Sequence, residues 1–182
     1  MQLSEKEALD MFIDLVKTGE CSDDSLDVEH IHRGCPIERL SPNMFRFSVE
    51  RHPHLFGKPS KGKASSAFAT VLRSYELDTD TEEIEFAGEE VLDIEIDYYA
   101  LAEQDVEDTW DAIKSDFDSK LEDLTSKDDV QEFAEIHFDE INWWFPYEGS
   151  EYELPVDFRE NLKEALRKTF IDKVLDEWHF WR

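Results

Sequence analysis

The stretch EEVLDIEIDYYALAEQDVEDTWD, residues 89–111, decides the fold class, because the spacing of its hydrophobic residues changes partway along. Up to Asp97, apolar and acidic residues alternate, as they do on a half-exposed strand. From Gln104 onward, apolar residues recur every three or four positions, as on an amphipathic helix. Another helical pattern runs from Ser4 to Thr18. Strands flanked by helices in this order predict an α+β fold.

The remaining pattern predicts the arrangement of elements around this stretch. We expect a small central antiparallel sheet with a hairpin around residues 83–99 and its turn near Ala87–Glu90. Ser4 and Glu7 predict a capping box for the N-terminal helix. Two or three amphipathic helices follow the sheet. We expect residues 1–182 to form a single domain, in which an irregular, basic segment with histidines and cysteines, residues 21–66, is inserted between the N-terminal helix and the acidic body.

Composition limits the class of protein. The chain of 182 residues is 40% hydrophobic and 13% aromatic, which is enough for a packed core, yet its formal net charge is −27. Such acidity disfavours direct binding to nucleic acid or to anionic membranes. No apolar run spans a bilayer, the N-terminus does not resemble a signal peptide, and two cysteines make no disulfide framework. These features predict a soluble, cytoplasmic protein.

The charge is distributed unevenly along the chain. Residues 29–74 hold three acids and eight bases, whereas residues 75–125 hold 20 acids and two bases, Lys114 and Lys120. Adaptation to high salt is one explanation, but it should spread acid over the whole surface. A solvated, solubilising face is the other explanation, since most runs of charge are solvated, although ordinary surfaces mix both signs and the second segment does not.

A row of carboxylates on a strand or helix can approximate the field of a phosphate backbone. We therefore predict that acids of the hairpin and of the following helix bind a basic protein. The predicted partner-binding residues are Glu89, Glu90, Asp93, Glu95, Asp97, Asp105, Asp108, Asp111, Asp118 and Glu122.

Segment 21–63 offers an alternative of another class, a zinc- or phosphate-ligand-binding protein. Cys21, His30, His32 and Cys35 lie within fifteen residues and are zinc-type ligands, although their spacing is irregular. They would hold a structural zinc; otherwise we expect no cofactor. GKPSKGK, residues 57–63, matches the phosphate-loop spacing, but Ala64 replaces the metal-binding hydroxyl and no continuous buried strand precedes it.

Aromatic residues gather near the C-terminus, in NWWFPY at residues 142–147 and in WHFW at residues 178–181. We expect Trp178, Phe180 and Trp181 to close the core, and a homodimer formed through them is the alternative.

No G-x-S-x-G and no H-E-x-x-H occurs, so the sequence predicts a protein that is not an enzyme. Its composition is similar to that of small acidic inhibitors, namely phage proteins that imitate DNA to block restriction or CRISPR effectors, and immunity proteins that neutralise toxic nucleases. The similarity implies an inhibitor that occupies the basic nucleic-acid groove of a nuclease or defence effector, in the host cytoplasm if the chain is phage-encoded. The immunity protein remains the alternative.

Overall fold

The computed structural model describes residues 2–21, 23–56, 66–143 and 150–180, with no side-chain description for Phe180. It is an α+β fold, as predicted. In chain order the elements are α1 (Glu5–Thr18), a 3₁₀ turn (Val28–His30), β1 (Ile37–Ser41), β2 (Met44–Arg51), β3 (Ala67–Asp78), β4 (Glu83–Ile96), α2 (Tyr98–Leu121), α3 (Lys127–Glu140) and α4 (Phe158–Phe180).

The chain divides into two compact units, Met1–His54 with Phe68–Ile94, and Leu55–Ala67 with Glu95–Arg182. The first unit contains α1 and most of the sheet, and the second contains α2, α3 and α4. Compactness does not decide whether the two units unfold together, so the single domain over residues 1–182 stays a prediction.

The first unit packs α1 on one face of a four-stranded sheet of order β1-β2-β3-β4. Helix α1 begins as predicted, because the Ser4 hydroxyl accepts a hydrogen bond from the Glu7 amide while the Glu7 carboxylate accepts one from the Ser4 amide. In the core, the ring of Phe12 stacks on Phe47 with 4.3 Å between centroids. Phe47 lies opposite Tyr75 across the antiparallel β2–β3 pair. Burial of these rings holds the helix on the sheet.

The predicted turn near Ala87–Glu90 is wrong, because Glu83–Ile96 forms one continuous strand. The turn lies earlier, between Asp78 and Glu83, where the Asp78 carboxylate accepts hydrogen bonds from the amides of Asp80 and Thr81. Gly88 instead stands inside β4 with φ +141°, a backbone conformation that favours glycine.

Gly88 marks a shift in the alternation of β4. Phe86 contacts Tyr75 (5.9 Å between ring centroids), and Glu89 pairs with Arg73 (2.6 Å). Tyr75 and Arg73 are two positions apart and therefore share one face of β3, but Phe86 and Glu89 are three apart. One extra residue must be accommodated between them, as in a β-bulge. A glycine in a strand is typical of a bulge as well as of a turn, which is why the sequence was misleading here.

The second unit is a helical cluster whose core is aromatic. Helix α2 carries the predicted apolar stripe, with Val106, Trp110, Phe117 and Leu121 all buried. It begins at Tyr98, earlier than predicted, because the Asp97 carboxylate accepts a hydrogen bond from the Ala100 amide at 3.0 Å and caps the helix. Phe170 of α4 lies among the rings of its neighbours, 5.8 Å from Phe117 between centroids.

Trp178 is 6% exposed, and its indole N–H donates to the carbonyl of Leu124 at 3.3 Å. It therefore closes the core of the helical unit, as predicted. Trp143 also packs inward, with its ring 5.5 Å from that of Phe170 between centroids. Residues 144–149 and 181–182 lie outside the described residues, and the homodimer through the terminal aromatics stays a prediction.

Candidate functional site

A line of acids without a basic partner among the described residues runs along α2 to its C-cap residue, Glu122. Asp108, Asp111 and Glu122 are exposed and Asp118 is half-buried. Their spacing of three, seven and four residues places them on one stripe along the helix, opposite the buried stripe of Val106 and Trp110. No base lies within 4.0 Å of these four carboxylates in the part of the chain that the structure describes. We call these four residues the α2 acidic stripe.

The charge of α2 as a whole can be compared with that of DNA. Nine acids lie between Glu103 and Asp123, over about 30 Å of helix at 1.5 Å per residue. That is one carboxylate per about 3.3 Å, close to the roughly 3.4 Å per phosphate along a single DNA strand. Lys114 and Lys120 reduce the net density, and Lys114 already pairs with Glu177 of α4 at 3.6 Å. Seven net negative charges over about 30 Å leave one per about 4.3 Å, so this line of charge is somewhat sparser than that of one DNA strand.

Some of the other predicted partner-binding residues have internal roles. Glu89 accepts a hydrogen bond from Arg73 at 2.6 Å, and Asp97 caps α2. Asp105 is half-buried and has an interaction within the protein. Glu90, Asp93 and Glu95 are exposed on β4. Since Glu89, Glu90 and Asp93 belong to the first unit and the rest to the second, the ten residues are described as two separate sets.

A charged network that the sequence did not predict lies on the inward face of β3. The hydroxyl of Tyr75 donates to the Asp23 carboxylate at 2.6 Å, and the guanidinium of Arg73 lies 3.5 Å from the same carboxylate. Arg73 also pairs with Glu89 and donates to the Ser25 hydroxyl. Arginine at an inward position between Val71 and Tyr75 was the available signal, since a buried cation needs a partner. The partner, about fifty residues away, has no local signature.

The network shifts two pKa values in opposite directions. Burial alone would raise the pKa of Asp23, but hydrogen bonds from Ser25 and Tyr75 and the charge of Arg73 hold it below its usual value. Burial, with the Asp23 carboxylate alongside, raises the pKa of Tyr75 far above its usual value. The network therefore holds a charged carboxylate against a neutral phenol.

Replacing Asp23 with asparagine should lower the unfolding free energy by about 1.5–3 kcal/mol at neutral pH, the range for hydrogen bonds to a charged group. Because the folded pKa lies below the reference value of 3.8, this contribution is present above that value and is lost as pH falls through the folded pKa. Urea unfolding of both proteins between neutral pH and pH 3 measures it. Asp10→Asn, at an exposed site on α1, is the control. If the difference in unfolding free energy between wild type and Asp23→Asn were the same at pH 3 as at neutral pH, the charge of Asp23 would not be its source.

The predicted zinc ligands do not form a recognisable site. The structure shows no group of three or more histidine, cysteine or acidic side chains placed to hold a metal ion among the residues it describes. The ring of His30 instead accepts a hydrogen bond from the Asp27 amide at 3.1 Å. Burial raises the pKa of both Cys21 and Cys35. The zinc site stays a prediction that metal analysis would test. The phosphate-loop match at residues 57–63 lies outside the described residues.

No family model matches this chain, and neither a curated protein nor a solved structure shows significant similarity to it. Within the described residues, no helix has the length and apolar character needed to cross a membrane.

Proposed function

We propose that this chain is a non-enzymatic acidic inhibitor that binds the basic nucleic-acid groove of a nuclease or defence effector. The observation that carries the proposal is the α2 acidic stripe, four carboxylates over about 21 Å of helix with no basic partner among the described residues. Like charges held this close repel one another, so the folded state bears a cost that a basic partner would relieve. The target would meet the chain in the cytoplasm.

The rigidity of the helix supports this proposal. The buried side of α2 packs into the aromatic core through Trp110 and Phe117, whose ring centroids lie 6.3 Å and 5.8 Å from that of Phe170 on α4. Its carboxylates are therefore held on a fixed frame, and binding costs little ordering of the backbone. A basic groove would meet the charges of the stripe along one side of the helix, at successive intervals of about 4.5, 10.5 and 6 Å. Such complementarity mainly speeds association and sets specificity.

The test begins with capture of proteins from host cytosol on the immobilised full-length chain, eluted by a salt gradient and identified by mass spectrometry. Association rates of the captured protein are then measured with the triple variant Asp108→Lys, Asp111→Lys, Glu122→Lys, which we call the stripe variant. Asp118 is left unchanged because one of its carboxylate oxygens is buried. The control carries Asp10→Lys, Glu20→Lys, Glu132→Lys, which reverses the same number of exposed charges away from α2.

We expect the stripe variant to associate at least about ten-fold more slowly at low salt, and the gap to close as salt rises. The control should lose far less. Equal association rates for the two variants would contradict a role for α2, and would mean that only the overall charge of the chain affects association. Competition by duplex DNA for the captured protein would then separate occupation of a nucleic-acid groove from the immunity-protein alternative, in which the chain covers a site that DNA does not share.

A further inference from the structure

Strand β4 is long and lies at the edge of the sheet. It has 14 residues, well above the usual five or six, and only β3 is its neighbour in the strand order. Cys21 forms an isolated parallel bridge with Ile84, which covers the first residues of the outer edge. From Glu85 to Ile94, no further bridge to that edge exists among the residues that the structure describes. Backbone donors and acceptors along this edge are therefore available for another strand, apart from the Ile94 amide, which donates to the carboxylate of Asp93 at 2.9 Å.

The acids of β4 protect this edge against pairing with another acidic strand, but not against pairing with a basic one. The sequence of β4, EIEFAGEEVLDIEI, contains no lysine and no proline, the residues that natural proteins commonly place on edges to prevent pairing. Val91 and Leu92 are 48% and 51% exposed, and Phe86 is 49% exposed. Large apolar side chains beside an open strand edge are a typical feature of surfaces that accept an added strand.

The negative charge of β4 determines which kind of strand can pair with this edge. Glu85, Glu90 and Asp93 are exposed and have no basic partner in the described part of the chain. A second copy paired through β4 would bring acids close to acids, which destabilises a strand pair. Lysine or arginine on an incoming strand would instead find an opposite charge.

We propose that the edge of β4 from Glu89 to Ile94 binds an extended basic segment of a partner protein by strand addition. These six residues follow the bulge at Gly88 and span about 20 Å. Glu90 and Asp93, three positions apart, flank Val91 and Leu92. An antiparallel strand with two basic residues around two β-branched ones would place each base opposite a carboxylate and each apolar side chain opposite another. The recognition pattern is basic-apolar-apolar-basic.

This inference goes beyond the proposed function, because an electrostatic match on α2 needs no backbone pairing. The probe is an eight-residue peptide with Lys-Val-Val-Lys at its centre and threonine on both sides. Its control is the same peptide with alternate backbone nitrogens methylated, which keeps every charge but removes the donors that a ladder needs. Both are titrated into the full-length, ¹⁵N-labelled chain at physiological ionic strength, with chemical shifts and amide exchange recorded.

We expect the unmodified peptide to slow amide exchange within residues 89–94, and the methylated peptide to bind at least about ten-fold more weakly. Glu90→Lys with Asp93→Lys should abolish binding, while Asp10→Lys with Glu20→Lys, the same charge change on the same unit, should retain most of it. The α2 stripe variant should bind the peptide like wild type, so failure here and failure of the proposed function are distinguishable. Equal binding of both peptides, changes elsewhere than β4, or self-association of the chain through β4 would overturn the inference.

Discussion

Replacing Phe170 with alanine is expected to lower the free energy of unfolding by about 3–5 kcal/mol. Phe170 has no exposed surface, and its ring lies 5.5 Å from Trp143 and 6.0 Å from Phe138 between centroids. Removing it deletes a large apolar side chain and leaves a cavity among rings of α2, of α3 and of Trp143, which follows α3. Those helices cannot close over the space without losing their other contacts, so the cost includes the cavity as well as the lost burial.

Urea unfolding followed by tryptophan fluorescence measures this loss. Ile136→Ala on α3 is the matched control, because Ile136 is 56% exposed, and its truncation should change stability by no more than about 0.5 kcal/mol. A loss below about 1 kcal/mol for Phe170→Ala would mean that the helical cluster is not packed around this ring.

The helices could be predicted from the sequence because their signals are local. The buried stripe of α2 follows from a spacing of three and four residues between Val106, Trp110 and Phe117. The same spacing fixes which acids lie away from the buried side, so the candidate acids of α2, with Asp105 still among them, could be named before the structure. The cap at Ser4 is equally local, since its hydroxyl accepts a hydrogen bond from the amide of Glu7, three residues later.

The features that the sequence did not reveal depend on distant partners. The sequence at Ala87–Gly88 was compatible with a turn or a bulge, and the contacts of Phe86 and Glu89 with β3 identify it as a bulge. In the sequence, Glu89 could not be distinguished from its acidic neighbours, because its partner Arg73 lies on another strand, β3. The acids of the candidate site could therefore be enumerated from the sequence, but the separation of internally paired carboxylates from unpaired ones could not.

Replacing Phe12 with alanine is the corresponding change in the first unit, and we expect a loss of about 3–5 kcal/mol there too. Phe12 is fully buried and stacked on Phe47, with an interplanar angle of 9°. It is the side chain of α1 that meets both Phe47 and Tyr75. Asp10→Ala, at an exposed position of the same helix, is the control and should stay within about 0.5 kcal/mol of wild type.

The Phe12→Ala variant also tests whether residues 1–182 are a single domain. All five tryptophans lie in the second unit, Glu95–Arg182, so their fluorescence reports directly on that unit, whereas far-ultraviolet circular dichroism reports on both. In a single cooperative domain, Phe12→Ala shifts the fluorescence and dichroism transitions by the same amount, although no tryptophan is near it in the sequence. If the units unfold separately, Phe12→Ala leaves the fluorescence transition in place and splits the dichroism transition. That result would contradict the single domain and assign the α2 acidic stripe and the β4 edge to independently folding bodies.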